Sequence, residues 1–232
     1  LIMTTEVLRD DYAALTGSDP SCHGAAGGCE PCADDCPVDS VSWHDAALYA
    51  NRLSEGEGAE ECYACAGVPP TCSEAGSLPS IYECEGYRLP TEAEWELAAR
   101  GGTTSATYAG DLTADLDYCP PPIAPVTDSI AWTCANSGGV LHPVGQLDPN
   151  PLGLHDVLGN VFEWVNDWFH DYPEGPLTDP VGWWTGAGRV TRGGSYTSTP
   201  AESRAAARFT AAADSGLPHV GFRLARTRPA PQ

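Results

Sequence analysis

The sequence predicts an irregular α+β fold made of a few short helices, a small twisted antiparallel sheet and long ordered loops. Stretches with helical spacing are few and short, while the 232 residues include 25 glycines and 21 prolines, which punctuate the chain with turns. Ten cysteines fall mostly in stretches with little apolar content to order them, so covalent staples are expected to hold those stretches. The chain is long enough to bury a sizeable core. It is read as one domain over 1–232, with cysteine-rich insertions at about 18–37 and 55–86.

The elements follow in order. Leu1 to Val7 reads as the middle of a strand, so an upstream piece carrying any export signal is expected to precede it. Leu8 to Leu15 reads as a short helix ended by Gly17. Ser42-Trp43-His44-Asp45 is a helix start, with Ser42 as cap and Asp45 favourable to the helix dipole. Ala46, Ala47, Tyr49, Ala50 and Leu53 keep helical spacing to about Ser54. Thr91 with Glu94 forms a capping box, Trp95, Leu97 and Ala98 supply the buried stripe, and Gly101-Gly102 ends that helix. From there to Gln232 short apolar pieces alternate with Gly, Pro, Asp and Asn, which reads as short strands between loops.

Charge restricts the partners. Thirty-two acidic residues face eleven basic ones, all arginine, for a net charge of -21. Such a surface repels phosphate backbones, so nucleic acid is excluded as a partner. No apolar run reaches the length of a membrane span.

Cys29-x-x-Cys32 and Cys62-x-x-Cys65 have the spacing of zinc knuckles. Cys22, Cys36, Cys72, Cys84, Cys119 and Cys134 fit no such pattern, so disulfides are favoured over zinc. Cys119 is expected to pair with Cys134, and the other eight within their own clusters of four. Disulfides place the protein outside the cytoplasm: extracellular, periplasmic or at the cell surface.

Four blocks, in order, resemble the formylglycine-generating enzyme family. They are Thr5-Glu6-Val7 with Tyr12, Pro37 to Trp43 with its helix, Tyr87 to Glu96, and Gly153 to Trp164. The last leads on to Arg192-Gly193-Gly194-Ser195 and Gly221-Phe222-Arg223-Leu224. The resemblance implies a fold related to C-type lectins. The hairpin that usually opens the family has no counterpart in the chain. In the family, Asp156-x-x-Gly159-x-Val161-x-Glu163 resembles a calcium site. Carried over, the ligands are the side chains of Asp156 and Glu163 and the carbonyls of Gly159 and Val161, a donor set suited to a hard cation. A second family calcium site begins at Asn136-Ser137, but its loop is short here, and that site is expected to be absent or partial.

The segment Arg192 to Arg208 resembles the family's active site, R-G-G-S-[FY]-x-C-x-x-x-x-C-x-R-x-R-x-A-A-R. Counted from the left, the two cysteines fall on Ser198 and Ser203; counted back from Arg204 to Arg208 the segment is three residues short, and on that count the second thiol has no counterpart. A serine hydroxyl neither binds copper(I) nor enters disulfide exchange, so no copper and no formylglycine-generating oxidase activity are expected. No G-x-S-x-G elbow marks either serine as a hydrolytic nucleophile.

The spacing of the same segment resembles the family's thiol-free form, R-G-G-S-W-x-x-x-P-x-x-x-R-x-A-x-R, without a gap, with Tyr196 in place of the tryptophan. Some relatives of that form resemble ligand-binding proteins diversified by retroelements, with the variable surface between these arginines and G-F-R-L. The corresponding candidate contacts here are Tyr196, Thr197, Ser198, Thr199, Phe209, Thr210 and His219, with Trp183 and Trp184 as a candidate aromatic wall. The function expected is a non-catalytic binding or assembly protein with a protein or cell-surface ligand, or self-assembly. The alternatives are a catalytically divergent relative, which the scattered histidines do not favour, and a retroelement-diversified binder.

Overall fold

Two reciprocal caps start the two main helices. Asp45 N–H donates to Ser42 Oγ at 3.1 Å and Ser42 N–H donates to Asp45 Oδ2 at 3.0 Å, which opens α2 (Trp43–Gly56) after the shorter α1 (Arg9–Thr16). Thr91 and Glu94 do the same for α3 (Glu92–Arg100). Gly17 at φ 81° and Gly101 at φ 54° end α1 and α3 in the left-handed region, where a side chain is costly. The computed structural model describes residues 1–21, 32, 35–112, 117–119 and 126–228. Cys22 and Cys29 lie outside the described residues.

One expectation for α3 needs correcting. Trp95, Ala98 and Ala99 are buried, but Leu97 is 71% exposed. Residues 95, 98 and 99 share one side of a 3.6-residue helix, and position 97 points about 200° away from 95.

The main sheet has the order β6-β5-β4-β7, formed by β4 (Phe162–Trp168), β5 (Arg189–Arg192), β6 (Arg208–Ala211) and β7 (Val220–Gly221). β4, β5 and β6 pair antiparallel, while β7 joins β4 in parallel. Parallel pairing was not expected. It arises because the loop after β6 crosses from one edge of the sheet to the other. A second difference lies in the cysteine-rich stretch 55–86, read as loop. There β1 (Tyr63–Ala66) and β2 (Thr71–Glu74) form a hairpin that sets Cys65 opposite Cys72. Its four-residue strands carry too little apolar alternation to be read. β3 (Tyr87–Arg88) pairs with β8 (Ala225–Arg226). The N-terminal segment also runs along the C-terminal one: Met3 N–H donates to Leu224 and Val7 N–H to Phe222.

The sheet separates two cores. One gathers Trp43 and the α2 face with Trp164, Val220 and Phe222, and the other gathers Trp95 of α3 with Val165 and Val190. Val165 and Trp164 alternate along β4, so each faces a different core. Arg88, Arg189, Arg192 and Arg223 are buried among these apolar groups. Arg88 meets Glu94 through Nη1–Oε2 at 2.6 Å and Nη2–Oε1 at 2.8 Å, a two-pronged fit that lysine cannot make. Arg189 lies between rings, 3.7 Å from the centroid of Trp43 and 4.0 Å from that of Trp168. Burying arginines leaves the surface still richer in acid.

Candidate functional site

Arg192 fixes the start of the glycine-rich segment. Its guanidinium donates to Glu92 at 3.0 Å, to Glu96 at 2.5 Å and to the carbonyl of Ala205 at 2.7 Å. Arg208 holds the other end, with Nη2–Oε2 at 2.7 Å to the same Glu92. Gly193 and Gly194 follow Arg192 at φ 92° and 80°. A Cβ on Gly194 would stand 2.4 Å from Ser203 Oγ, so glycine there lets the two arms of the segment close on each other.

Ser198 and Ser203 both face inward. Ser198 Oγ accepts from Ser195 N–H at 3.1 Å and Ser203 Oγ donates to the Thr199 carbonyl at 3.2 Å. Ser198 is buried, so this candidate contact supports the segment from beneath. Tyr196, Thr199, Phe209 and His219 are half-buried and Thr197 and Thr210 exposed. Phe162 joins part of this set: its ring centroid lies 4.9 Å from that of Phe209 and 5.9 Å from that of His219.

Trp183 and Trp184 do not form one wall with that patch. Trp183 lines a cavity between α3 and the 168–183 segment, and Trp184 lines a different groove beside β2. Adjacent residues thus serve opposite sides of a turn.

The carboxylates expected to hold calcium are both buried, in different states. Glu163 is gripped by Arg223, Nε–Oε2 at 2.7 Å and Nη2–Oε1 at 2.8 Å, and accepts from Trp95 Nε1 at 2.8 Å. Asp156 Oδ2 accepts from Gly145 N–H at 2.6 Å, whereas its Oδ1 is buried without a partner. Glu6 is the member that sequence reasoning missed as a site residue. It is buried, and neither of its oxygens finds a partner on another residue. Burial, then the charge of Asp156, holds its carboxyl well above the usual range. Glu6, Asp156 and Glu163 all feel the charge of Arg223, and Glu6 also that of the other two acids. A cation fits the bare oxygens of Asp156 and Glu6 better than it fits Glu163. Among the described residues no three His, Cys, Asp or Glu side chains are already drawn together as a metal cluster. Gly159 sits against Trp132, where a Cβ would stand 2.3 Å from the carbonyl oxygen. At Asn136, the side-chain oxygen accepts from Thr133 N–H and the amide donates to Asp128 and Ala131.

Four disulfides are present among the described residues: Cys32–Cys36, Cys62–Cys84, Cys65–Cys72 and Cys119–Cys134. Cys62 and Cys65 belong to different bridges, so they form no zinc knuckle. Cys134 N–H donates to the Ser198 carbonyl at 3.0 Å, which ties the last bridge to the serine segment.

The profile of the family described as "Sulfatase-modifying factor enzyme 1-like domain" matches residues 2–228. The chain belongs to the formylglycine-generating enzyme family. It is 35% identical over 208 residues to the formylglycine-generating enzyme of Streptomyces coelicolor, covering 82% of this chain and 52% of that protein. The chain thus spans about half the length of that relative. It is 33% identical to "Chaperone protein LppX" of Paenibacillus barcinonensis, covering 96% of this chain and 78% of that one. Among solved structures, "Treponema denticola variable protein 1" superposes with a TM-score of 0.80 at 31% identity, over 98% of this chain and 84% of that one. CarF superposes with a TM-score of 0.68 at 28% identity, over 98% and 86%.

Proposed function

We propose that this chain is an exported, non-catalytic binding or assembly domain that keeps the formylglycine-generating enzyme fold as a frame. The observation that carries the reading is the state of Ser198 and Ser203: buried hydroxyls bonded within their own segment. The surface above them, Tyr196, Thr197, Phe209, Thr210 and His219, is the ligand face in this reading. The disulfides support export, and likeness to a protein named as a chaperone supports an assembly role. The test is an oxidase assay with a cysteine-containing peptide, copper(I) and oxygen, read by mass spectrometry. No conversion of cysteine to formylglycine is expected, and turnover would overturn the reading.

A second reading rests on the likeness to a protein named as variable: the ligand face is diversified. Sequencing of clonal isolates would show changes at Tyr196, Thr197, Thr199, Phe209, Thr210 and His219 beside an unchanged Arg192-Gly193-Gly194-Ser195. Invariance across isolates would sink it.

Calcium belongs to the same proposal. Asp156, with Glu6 beside it, offers buried bare oxygens, and the carbonyls of Gly159 and Val161 complete a hard donor set. Calcium should raise the melting midpoint over that in a chelator, through binding to the folded state alone, and Asp156→Asn should abolish the difference.

A further inference from the structure

The cavity between α3 and the 168–183 segment is about 600 Å³ in volume, within the range of small-molecule sites. Leu177, Pro180, Val181 and Tyr172 give it apolar walls, and Trp183, 55% exposed, stands among its lining residues. Its lining shares no residue with the Tyr196–His219 face, so a ligand held in this cavity is independent of any ligand held on that face.

Apart from the exposed Asp171, most charges in the cavity have partners. Glu92 is held by Arg192, Arg208 and the Tyr172 hydroxyl, and Glu96 by Arg100 and Arg192. Asp167 differs. It lines the cavity, is only 6% exposed, and makes one hydrogen bond, Oδ2 accepting from Glu92 N–H at 2.6 Å. No arginine pairs with it: Arg189, the cation nearest in electrostatic effect, is stacked between Trp43 and Trp168 and donates to the Asn166 carbonyl. Oδ1 thus has no donor within the protein and is not fully buried, so it opens on the cavity. Gly182 keeps it within reach, since a Cβ there would stand 2.7 Å from Oδ1.

A carboxylate oxygen that opens on a largely apolar cavity is poorly solvated, and a ligand's donor would bond it favourably. A cationic donor relieves most, because it cancels charge as well as bonding the oxygen. A neutral sugar would need several polar partners, and the free polar atoms here are too few. An anion would meet Asp167, Asp171, Glu92 and Glu96, while the lining arginines Arg100 and Arg208 are already paired with Glu96 and Glu92. An aromatic face such as Trp183 adds attraction for a cation or for an aromatic body.

We propose that this cavity binds an organic ammonium ion, whose N–H donates to Asp167 Oδ1 while an aromatic or branched apolar body fills the space against Leu177, Val181 and Trp183.

The test is calorimetric titration of the full chain with 2-phenylethylamine, with 2-phenylethanol as a neutral match and phenylacetate as an anionic one. Saturable binding of the amine below about 10 mM is expected, with the alcohol about tenfold weaker and the acid weaker still. Asp167→Asn keeps an acceptor for Glu92 N–H and should bring amine affinity down to that of the alcohol. Trp183→Ala alters a largely exposed ring, and should weaken the amine severalfold in a folded protein, so the test survives if the first variant fails to fold. Equal binding of amine and alcohol, no saturable amine binding, or wild-type affinity in Trp183→Ala would each overturn the proposal.

Discussion

Arg223 and Glu163 form a fully buried, two-pronged ion pair, 2.7 and 2.8 Å across its two contacts. Arg223 also donates to the carbonyls of Met3 and His155, so it joins the N-terminal segment, the turn before β4 and the strand itself. Glu6 and Asp156 lie in the same electrostatic neighbourhood. Replacing Arg223 by methionine would leave three buried acids with no counter-charge. The expected loss is about 3–5 kcal/mol, a large share of the roughly 5–15 kcal/mol by which ordinary domains are stable. Urea denaturation of Arg223→Met beside the wild type measures it, and a loss under about 1 kcal/mol would mean that the fold does not depend on this buried counter-charge.

Burial pushes the Asp167 carboxyl up to about 7, with the charges of Glu92 and Glu74 adding to the rise and the Glu92 N–H and Arg189 opposing it. A carboxyl whose pKa rises on folding binds its proton more tightly in the folded state. Stability therefore falls as pH rises from the unfolded pKa near 4 toward 7, and levels off above. The loss between about pH 5 and pH 8 should be roughly 2–3 kcal/mol. Asp167→Asn should remove that part of the slope, as read from urea midpoints at the two pH values. An unchanged slope in the variant would assign the dependence to another group.

Local chemistry made the helices legible: Ser42 with Asp45 and Thr91 with Glu94 are caps that work within four residues. The site was legible only in part. Ser198 and Ser203 could be placed by counting along the motif, but their inward orientation depends on the left-handed turn at Gly193-Gly194. Glu6 and Asp156 are 150 residues apart in sequence, and no spacing rule joins them. Asp167 was hidden for a related reason. It sits in β4, which is buried on both faces, and a polar residue in such a strand was a signal that could have been used. Trp183 and Trp184 looked like one wall because adjacency in sequence does not reveal which way a turn splits its side chains.

The two bridges of the β1–β2 region should open in a fixed order under mild reductant. Cys62 and Cys84 are fully buried, whereas Cys65 is half-buried, and exchange requires access for the attacking thiolate. Cys65–Cys72 should open first, followed at higher reductant by Cys62–Cys84. Removing the second bridge by paired serine substitution should also cost more. Its separation of 22 residues against 7 gives about 3 against about 2 kcal/mol by loop entropy. Alkylation followed by peptide mapping would show the order, and simultaneous opening would mean that the hairpin unfolds as a unit before either bridge is reached.

Gly194 should tolerate no side chain. Its φ is 80°, and a Cβ would meet Ser203 Oγ at 2.4 Å and Ser203 Cα at 3.0 Å. Gly194→Ala therefore combines backbone strain with a clash in a buried place, and an expected cost of about 2–4 kcal/mol. Ser203→Gly removes the clashing hydroxyl but leaves the strain and the close Cα. The double variant should recover only part of the loss, so the cycle built from the four proteins should show a coupling of about 1 kcal/mol. Melting midpoints supply the comparison. Full additivity would mean that the two arms of the segment from Arg192 to Arg208 are not in contact in solution, and that the frame beneath the ligand face is looser than this packing requires.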